Sequence, residues 1–234
     1  MELNKVKALI TGGSQGIGLE TAKLLVTHGA QVAICGRNAD RLREASTQSG
    51  AFPLLADVSV EAEVVKMIQK VIQEFGDYNV LINNAGFGYF SQLVDLNLDS
   101  FQKVLNTNLL GACLYARESA KYFIEKKQGN IINVASTAAK SGFSGGSAYC
   151  ASKFAMSALT ECWRNELRVH NIRVMQINPS EVQTQFVVNS GRPERPFNET
   201  KLRASEIAHA IASMLEMDDR GFVTELTVFA TNPK

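Results

Sequence analysis

Residues 6–29 read VKALITGGSQGIGLETAKLLVTHG, a short apolar run that passes through a glycine turn directly into a helical stretch. Glycine lets a backbone turn tightly there and leaves room for another group to approach it. The free N–H groups at the start of the next helix, with the positive end of its dipole, suit a pyrophosphate. Gly12, Gly16 and Gly18, with Ser14, Gln15 and Ile17 between them, are the candidate phosphate cradle. No GxxxxGK[ST] pattern is present, which argues against a nucleotide-hydrolysing loop.

Outward from that unit, apolar or β-branched runs alternate with longer helical patterns. They are VKALI at 6–10, QVAIC at 31–35, FPLLA at 52–56, NVLIN at 79–83, NIINVA at 130–135, IRVMQI at 172–177 and FVTELTVF at 222–229. Such alternation predicts parallel strands joined by crossover helices, and runs without in/out alternation suit strands covered on both faces. The expected fold is a doubly wound, Rossmann-type α/β sheet forming a single domain over 1–234. Residues 179–203 shift to polar, Gly and Pro composition, which predicts a substrate lid that is mobile without ligand, with Phe186 and Phe197 to pin it. Two helices carry apolar stripes: Leu109, Cys113, Ala116, Ala120 and Phe123 on one, and Ala151, Ala155, Ala158 and Cys162 on the other, from about Ala148 to Val169. Groups on several faces of the second helix predict burial against another subunit, in a homo-oligomer.

Composition narrows the partners. The 24 Lys and Arg residues balance 23 Asp and Glu, so no net field draws the chain to nucleic acid or an anionic membrane. A small-molecule substrate fits better. No run approaches a membrane span and the first residues lack a signal-peptide core, so a cytoplasmic protein is expected. Cys35, Cys113, Cys150 and Cys162 have no CxxC spacing and His28, His170 and His209 stand far apart, so no metal site is expected.

The chemistry lies at strand ends. Asp57-Val58 follows the third run and Asn83-Asn84-Ala85-Gly86 the fourth, at the edge where open α/β sheets bind ligands. Tyr149 and Lys153 are four residues apart on a helix and so share one face, while Ser136 precedes Tyr149 by thirteen and follows the fifth strand. An ordinary phenol is a poor acid-base near neutrality; lowering its pKa by about 3 units needs about 4 kcal/mol of differential stabilisation. A nearby ammonium supplies part of this, and a serine hydroxyl steadies charge developing on a substrate oxygen.

TGGSQGIG, NNAG, Asn108 in NTNLLG, Ser136 and YCASK together resemble the ordinary-length short-chain dehydrogenases/reductases, over nearly the whole chain. The resemblance implies about seven parallel strands with helices on both faces. It implies Tyr149 as acid-base, Lys153 as the group that lowers its pKa and binds the nicotinamide ribose, and Ser136 as the carbonyl polariser. Asn108 would hold a water between Lys153 and solvent. Asp57 and Val58 would flank the adenine, Asn84, Ala85 and Gly86 would line the cofactor groove, and Pro179, Val182 and Thr184 would lie at the nicotinamide. Assembly as a tetramer or dimer is also implied.

Two departures stand out. Where the family has Pro-Gly after the sixth strand this chain has Pro179-Ser180-Glu181, with Glu181 facing either the pocket or solvent. It also lacks the Asp-Gly-Gly that follows the last strand in the reductases of fatty-acid synthesis. The expected reaction is hydride transfer between NADP(H) and a carbonyl or alcohol. NADP(H) is expected over NAD(H) because the second strand ends in Gly36-Arg37-Asn38, with a cation instead of the acid that accepts from a ribose 2′-hydroxyl. Two alternatives remain. One is a 3-oxoacyl-[acyl-carrier-protein] reductase whose lid cations Arg192, Arg195, Lys201 and Arg203 meet an acidic carrier. The other is a dinucleotide-sensing protein without turnover, which would need no proton-transfer set.

Overall fold

Each expected strand is present in the computed structural model, which describes residues 1–233, with ends within three residues of those expected. The strands β1 (Lys7–Thr11), β2 (Gln31–Gly36), β3 (Phe52–Leu55), β4 (Val80–Asn83), β5 (Gly129–Val134) and β6 (Ile172–Pro179) are followed by a short pair. That pair is β7 (Val182–Gln183) and β8 (Leu202–Arg203), and β9 (Glu225–Val228) comes last. The helices are α1 (Gly16–Thr27), α2 (Ala39–Ser49), α3 (Glu61–Phe75), α4 (Leu98–Leu105), α5 (Gly111–Lys126), α6 (Ser147–Leu167), α7 (Phe186–Asn189) and α8 (Ala204–Glu216).

The main sheet has seven parallel strands in the order β3-β2-β1-β4-β5-β6-β9. Its crossover connections place helices on both faces, and the side chains divide accordingly. Ala8, Ile10, Val80, Ile82, Ile132, Met175 and Ile177 join the core beneath α1, α2 and α8, whereas Leu9, Leu81, Ile131 and Val174 join the core beneath α3 and α5. Period-two alternation thus exists in space while both sets of positions are apolar, which is why the sequence reads as continuous runs. The chain order reverses between β1 and β4. Their carboxyl ends diverge there and open the crevice where doubly wound sheets take ligands.

The helical stripes differ from expectation in register. On α5 the buried side chains are Ala112, Tyr115, Ala116, Ser119 and Phe123, while Leu109, Cys113 and Ala120 stay half-buried. A π-turn over Asn106–Leu110 precedes α5 and carries Leu109, while Ala116 and Phe123 of the expected stripe are buried as read. On α6 the face turned to the sheet carries Ser152, Lys153, Met156 and Thr160, whereas Ala151, Ala158 and Cys162 are exposed and Ala155 is half-exposed. Polar residues guide that face: Asn83 donates to Asn133 (3.0 Å), Asn133 to Thr160 (2.8 Å) and Gln176 to Ser157 (2.8 Å). Buried amides must find partners, so this chain sets α6 in one position on the sheet. Among the described residues, no helix is long and apolar enough to cross a membrane.

Candidate active site

A cleft of about 1270 Å³ runs along the carboxyl edge of the sheet from Arg37 to the lid. Single drug-sized ligands occupy about 300–1,000 Å³, so a dinucleotide together with a small substrate suits the larger space. Gly12 and Gly16 take positive φ values of 64° and 56°. A Cβ on Gly12 would lie 2.8 Å from the Ala85 backbone, so the turn is packed as closely as glycine permits. Ser14, Gln15, Gly16 and Ile17 all face the cleft. Gly18 does not: it lies under the turn, where a Cβ would meet Asn84 Nδ2 and the Gly12 carbonyl at 2.6 Å. Its role is to bring α1 against the strand ends, which corrects the expected direct contact.

Asn84 braces the turn from β4. Its Nδ2 donates to the carbonyls of Thr11 (2.9 Å) and Gly12 (3.1 Å), and its backbone N–H and that of Ala85 donate to Thr11 Oγ1. Asn84, Ala85 and Gly86 line the cleft, whereas Asn83 is turned into the protein toward Asn133. Arg37, Asp57 and Val58 line the far end. Arg37 is exposed and makes no hydrogen bond or ion pair among the described residues. Asp57 accepts from the Ser59 N–H (2.9 Å) and hydroxyl (2.7 Å). Burial pushes its carboxyl up, but the Ser59 bonds and the Arg37 charge hold it below its ordinary value. Arg41, in the first turn of α2, reaches the same end and was not singled out from the sequence.

At the other end Ser136, Tyr149 and Lys153 come together. Ser136 caps the turn after β5, accepting from the Ala138 N–H at 3.1 Å, and its hydroxyl hydrogen-bonds Tyr149. Lys153 Nζ donates to the Val134 carbonyl at 2.8 Å and lies 5.8 Å from the centre of the Tyr149 ring. Burial pushes the Tyr149 phenol up to about 12, against the opposing pull of the Ser136 hydrogen bond and the Arg192 charge. The same burial pushes the Lys153 ammonium down to about 8. The phenol is therefore neutral at pH 7, not ionised as a neighbouring ammonium alone would suggest, because desolvation outweighs the attraction.

Asn108 lies beside the residue that precedes Lys153. It is buried and does not line the cleft: its Oδ1 accepts from the Phe87 N–H (3.0 Å), and its Nδ2 donates to the Phe87 carbonyl (2.9 Å) and Ser152 Oγ (3.2 Å). Its amide is spent tying the loop after β4 to α6, next to Lys153. An aromatic wall was also missed. Phe90 packs 5.8 Å from Tyr149 and 6.0 Å from Phe143, and Phe87 and Phe229 also border the cleft. These phenylalanines sit in loops without periodicity, so only their nearness to NNAG and to the last strand hinted at them.

The lid makes several polar ties. β7 pairs with β8, Gln183 exchanges two 2.6 Å hydrogen bonds with the Asn198 backbone, and the Gly88 N–H donates to Ser190 Oγ at 2.9 Å. Phe186 packs 5.3 Å from Tyr149, whereas Phe197 is 64% exposed beneath the Arg203 guanidinium and pins nothing to the core. Glu181 stands at the rim, paired with both Arg195 and Lys201. Ser180 needs no positive φ and donates its N–H to the Val228 carbonyl at 2.9 Å, so the missing glycine leaves the turn unstrained. Pro179, Val182 and Thr184 line the cleft, and Thr184 lies 3.3 Å from where a Gly16 Cβ would stand.

The chain belongs to the short chain dehydrogenase family, whose pattern matches residues 6–195. It is an oxidoreductase of that family. It is 30% identical to the NADP-dependent 3-hydroxy acid dehydrogenase of Schizosaccharomyces pombe, with 96% of this chain and 92% of that one covered. Among solved structures it is similar to an alcohol dehydrogenase from the archaeon Thermococcus sibiricus complexed with 5-hydroxy-NADP. That likeness has a TM-score of 0.85 at 28% identity and covers 97% and 98% of the two chains. NAD+-bound xylitol dehydrogenase gives the same score at 27% identity, with the same coverage. Both nucleotides therefore occur among the relatives.

The site implies a measurable pH signature. The folded chain holds Lys153 at about 8 against its ordinary 10.5. Between those values the unfolded chain keeps the proton that the folded one has lost, so stability rises with pH across that window. Denaturant unfolding from about pH 7 to about pH 10 is expected to show the parent gaining about 2 kcal/mol on Lys153→Met. Parallel curves would mean that the ammonium is not desolvated.

Proposed function

We propose that the protein transfers a hydride between NADP(H) and a carbonyl or alcohol, with Tyr149 as the acid-base. The observation that carries this is the gathering of Ser136, Tyr149 and Lys153 at the lid end of a cleft whose other end is a glycine turn on a helix N-terminus. A nicotinamide dinucleotide, when bound, supplies or accepts the hydride. The turn from Gly12 to Ile17 would hold its pyrophosphate, with Asp57 and Val58 beside the adenine, Asn84, Ala85 and Gly86 along the groove, and Pro179, Val182 and Thr184 at the carboxamide. The glycine cradle, too close for any Cβ, supports that fit.

Ser136 donates to the substrate oxygen as charge develops there, while its other contact, from the Ala138 N–H, holds the hydroxyl in place. Tyr149, neutral at pH 7, delivers its proton to the same oxygen in the reductive direction. Lys153, oriented by the Val134 carbonyl, hydrogen-bonds the ribose and steadies the phenolate left behind. The carrier-protein alternative loses support from the lid, since Arg195 and Lys201 are already paired with Glu181. The sensor alternative leaves the proton-transfer group without purpose.

Tyr149→Phe keeps the ring packing and removes the proton, so kcat is expected to fall about a hundredfold or more while nucleotide affinity is nearly retained. A loss of only a few-fold would refute the assignment. Arg37, without a partner of its own, favours a 2′-phosphate by about 1.5–3 kcal/mol, on the scale of hydrogen bonds to charged groups. The ratio of kcat/KM for NADPH over NADH is expected to drop about tenfold to a hundredfold in Arg37→Ala and to reverse in Arg37→Asp; a parent that prefers NADH overturns the choice.

The exposed small-residue face of α6 supports a homo-oligomer, dimer or tetramer, in a cytoplasmic protein. Sedimentation of Ala158→Glu is expected to show a smaller species than the parent, and a monomeric parent at micromolar concentration excludes the assembly.

A further inference from the structure

Of the four cations on the lid, only one lines the cleft without a carboxylate partner among the described residues. Arg195 and Lys201 are paired with Glu181 at the rim, and Arg203 covers the exposed Phe197. Arg192 lines the cleft without such a pairing, its guanidinium carbon 4.0 Å from the centre of the Phe90 ring. Its Nε is buried without a hydrogen-bond partner, and no carboxylate among the described residues pairs with it. A guanidinium is always charged at neutral pH and presents a planar fork matched to a carboxylate. Stacking on one aromatic face fixes the fork's orientation, while the buried Nε lacks the partner such groups normally find.

Its position relative to the reacting group is set by the same ring. Phe90 touches both groups: its ring centre lies 5.8 Å from that of Tyr149 and 4.0 Å from the Arg192 guanidinium carbon. The Arg192 charge also acts on Tyr149, opposing the effect of burial on its proton. A substrate whose oxygen meets Tyr149 and Ser136 therefore extends along the Phe90 face toward an unpaired cation. We propose that Arg192 recognises a carboxylate of the substrate, and that the protein works on oxo acids and hydroxy acids in preference to neutral carbonyl compounds and alcohols. This rests on the hydride-transfer reading above. The lid then sorts its charges: Glu181 engages Arg195 and Lys201, and Arg192 is left for the substrate. Arg192 is a specificity residue and takes no part in proton transfer.

The test uses the full chain with NADPH and a panel of 2-oxo, 3-oxo and 4-oxo acids, each beside its methyl ester, followed by nucleotide absorbance. The parent is expected to favour at least one acid over its ester in kcat/KM. In Arg192→Gln that acid-to-ester ratio is expected to fall about tenfold to a hundredfold, through KM, and Arg192→Lys should recover part of it. A damaged lid would lower acid and ester alike and leave the ratio standing, which would overturn the proposal. Equal use of acid and ester by the parent would overturn it too. If Arg192→Gln raises the KM for NADPH with the ratio unchanged, the guanidinium serves a nucleotide phosphate and the proposal fails. Direct titration of the favoured acid into the Tyr149→Phe protein with NADP+ reads binding without turnover: weaker binding to Tyr149→Phe/Arg192→Gln is expected, and equal binding refutes it. Failure of the hydride-transfer reading looks different, since neither acids nor esters would then be turned over with either nucleotide.

Discussion

An ammonium held out of water organises the reactive end of this protein. Lys153 is 5% exposed, and the Val134 carbonyl at 2.8 Å is the acceptor that orients it. Burying a cation costs several kcal/mol even after relaxation, and one neutral acceptor returns only part of that. The fold keeps the group there by fastening its helix. Thr160 on α6 takes the Asn133 amide of β5 and Ser157 takes the Gln176 amide of β6, so α6 cannot rotate to release the lysine without orphaning buried polar atoms. The strain appears as a proton held less tightly than usual, while the phenol beside it holds its proton more tightly. Desolvation alone drives the two shifts in opposite directions, since it penalises whichever form is charged.

The remaining parts reach this place because parallel strands all end on one side. Gly12, Asn84, Ser136 and Thr184 are far apart in sequence, yet each follows the carboxyl end of a strand, and the β1/β4 reversal leaves a gap among them. Asn84 converts that proximity into rigidity by holding the Thr11 and Gly12 carbonyls. Asn108 does the same between the loop after β4 and Ser152 of α6. Neither amide is free for chemistry; each fixes the backbone that presents it. Such positioning groups matter because a site loosened by about an ångström loses much of its effect.

The lid joins these two halves. Its base, at Val182 and Thr184, rests over the glycine turn, and its short helix places Phe186 on Tyr149. Polar ties hold it more than apolar ones, so its closed form rests on hydrogen bonds and ion pairs that water can replace. Val182 and Leu202 tie its two ends to the core beneath α1 and α8, so opening for a substrate would involve the segment between them.

Sequence alone was enough for the parallel α/β class, because two-sided burial writes continuous apolar runs, and for the glycine turn, because tight packing at Gly12 excludes any Cβ. It was also enough to single out Ser136, Tyr149 and Lys153, since a spacing of four on a helix fixes a shared face wherever that helix packs. It placed Gly18 in direct contact with the groove, whereas Gly18 shapes the turn from beneath, because depth below a surface leaves no mark in local pattern. Phe90, Phe143 and the inward turn of Arg192 were decided by tertiary structure only. Loop residues have no period to reveal their direction, and whether an arginine is paired with Glu181 or left facing Phe90 depends on contacts between segments that the chain order does not encode.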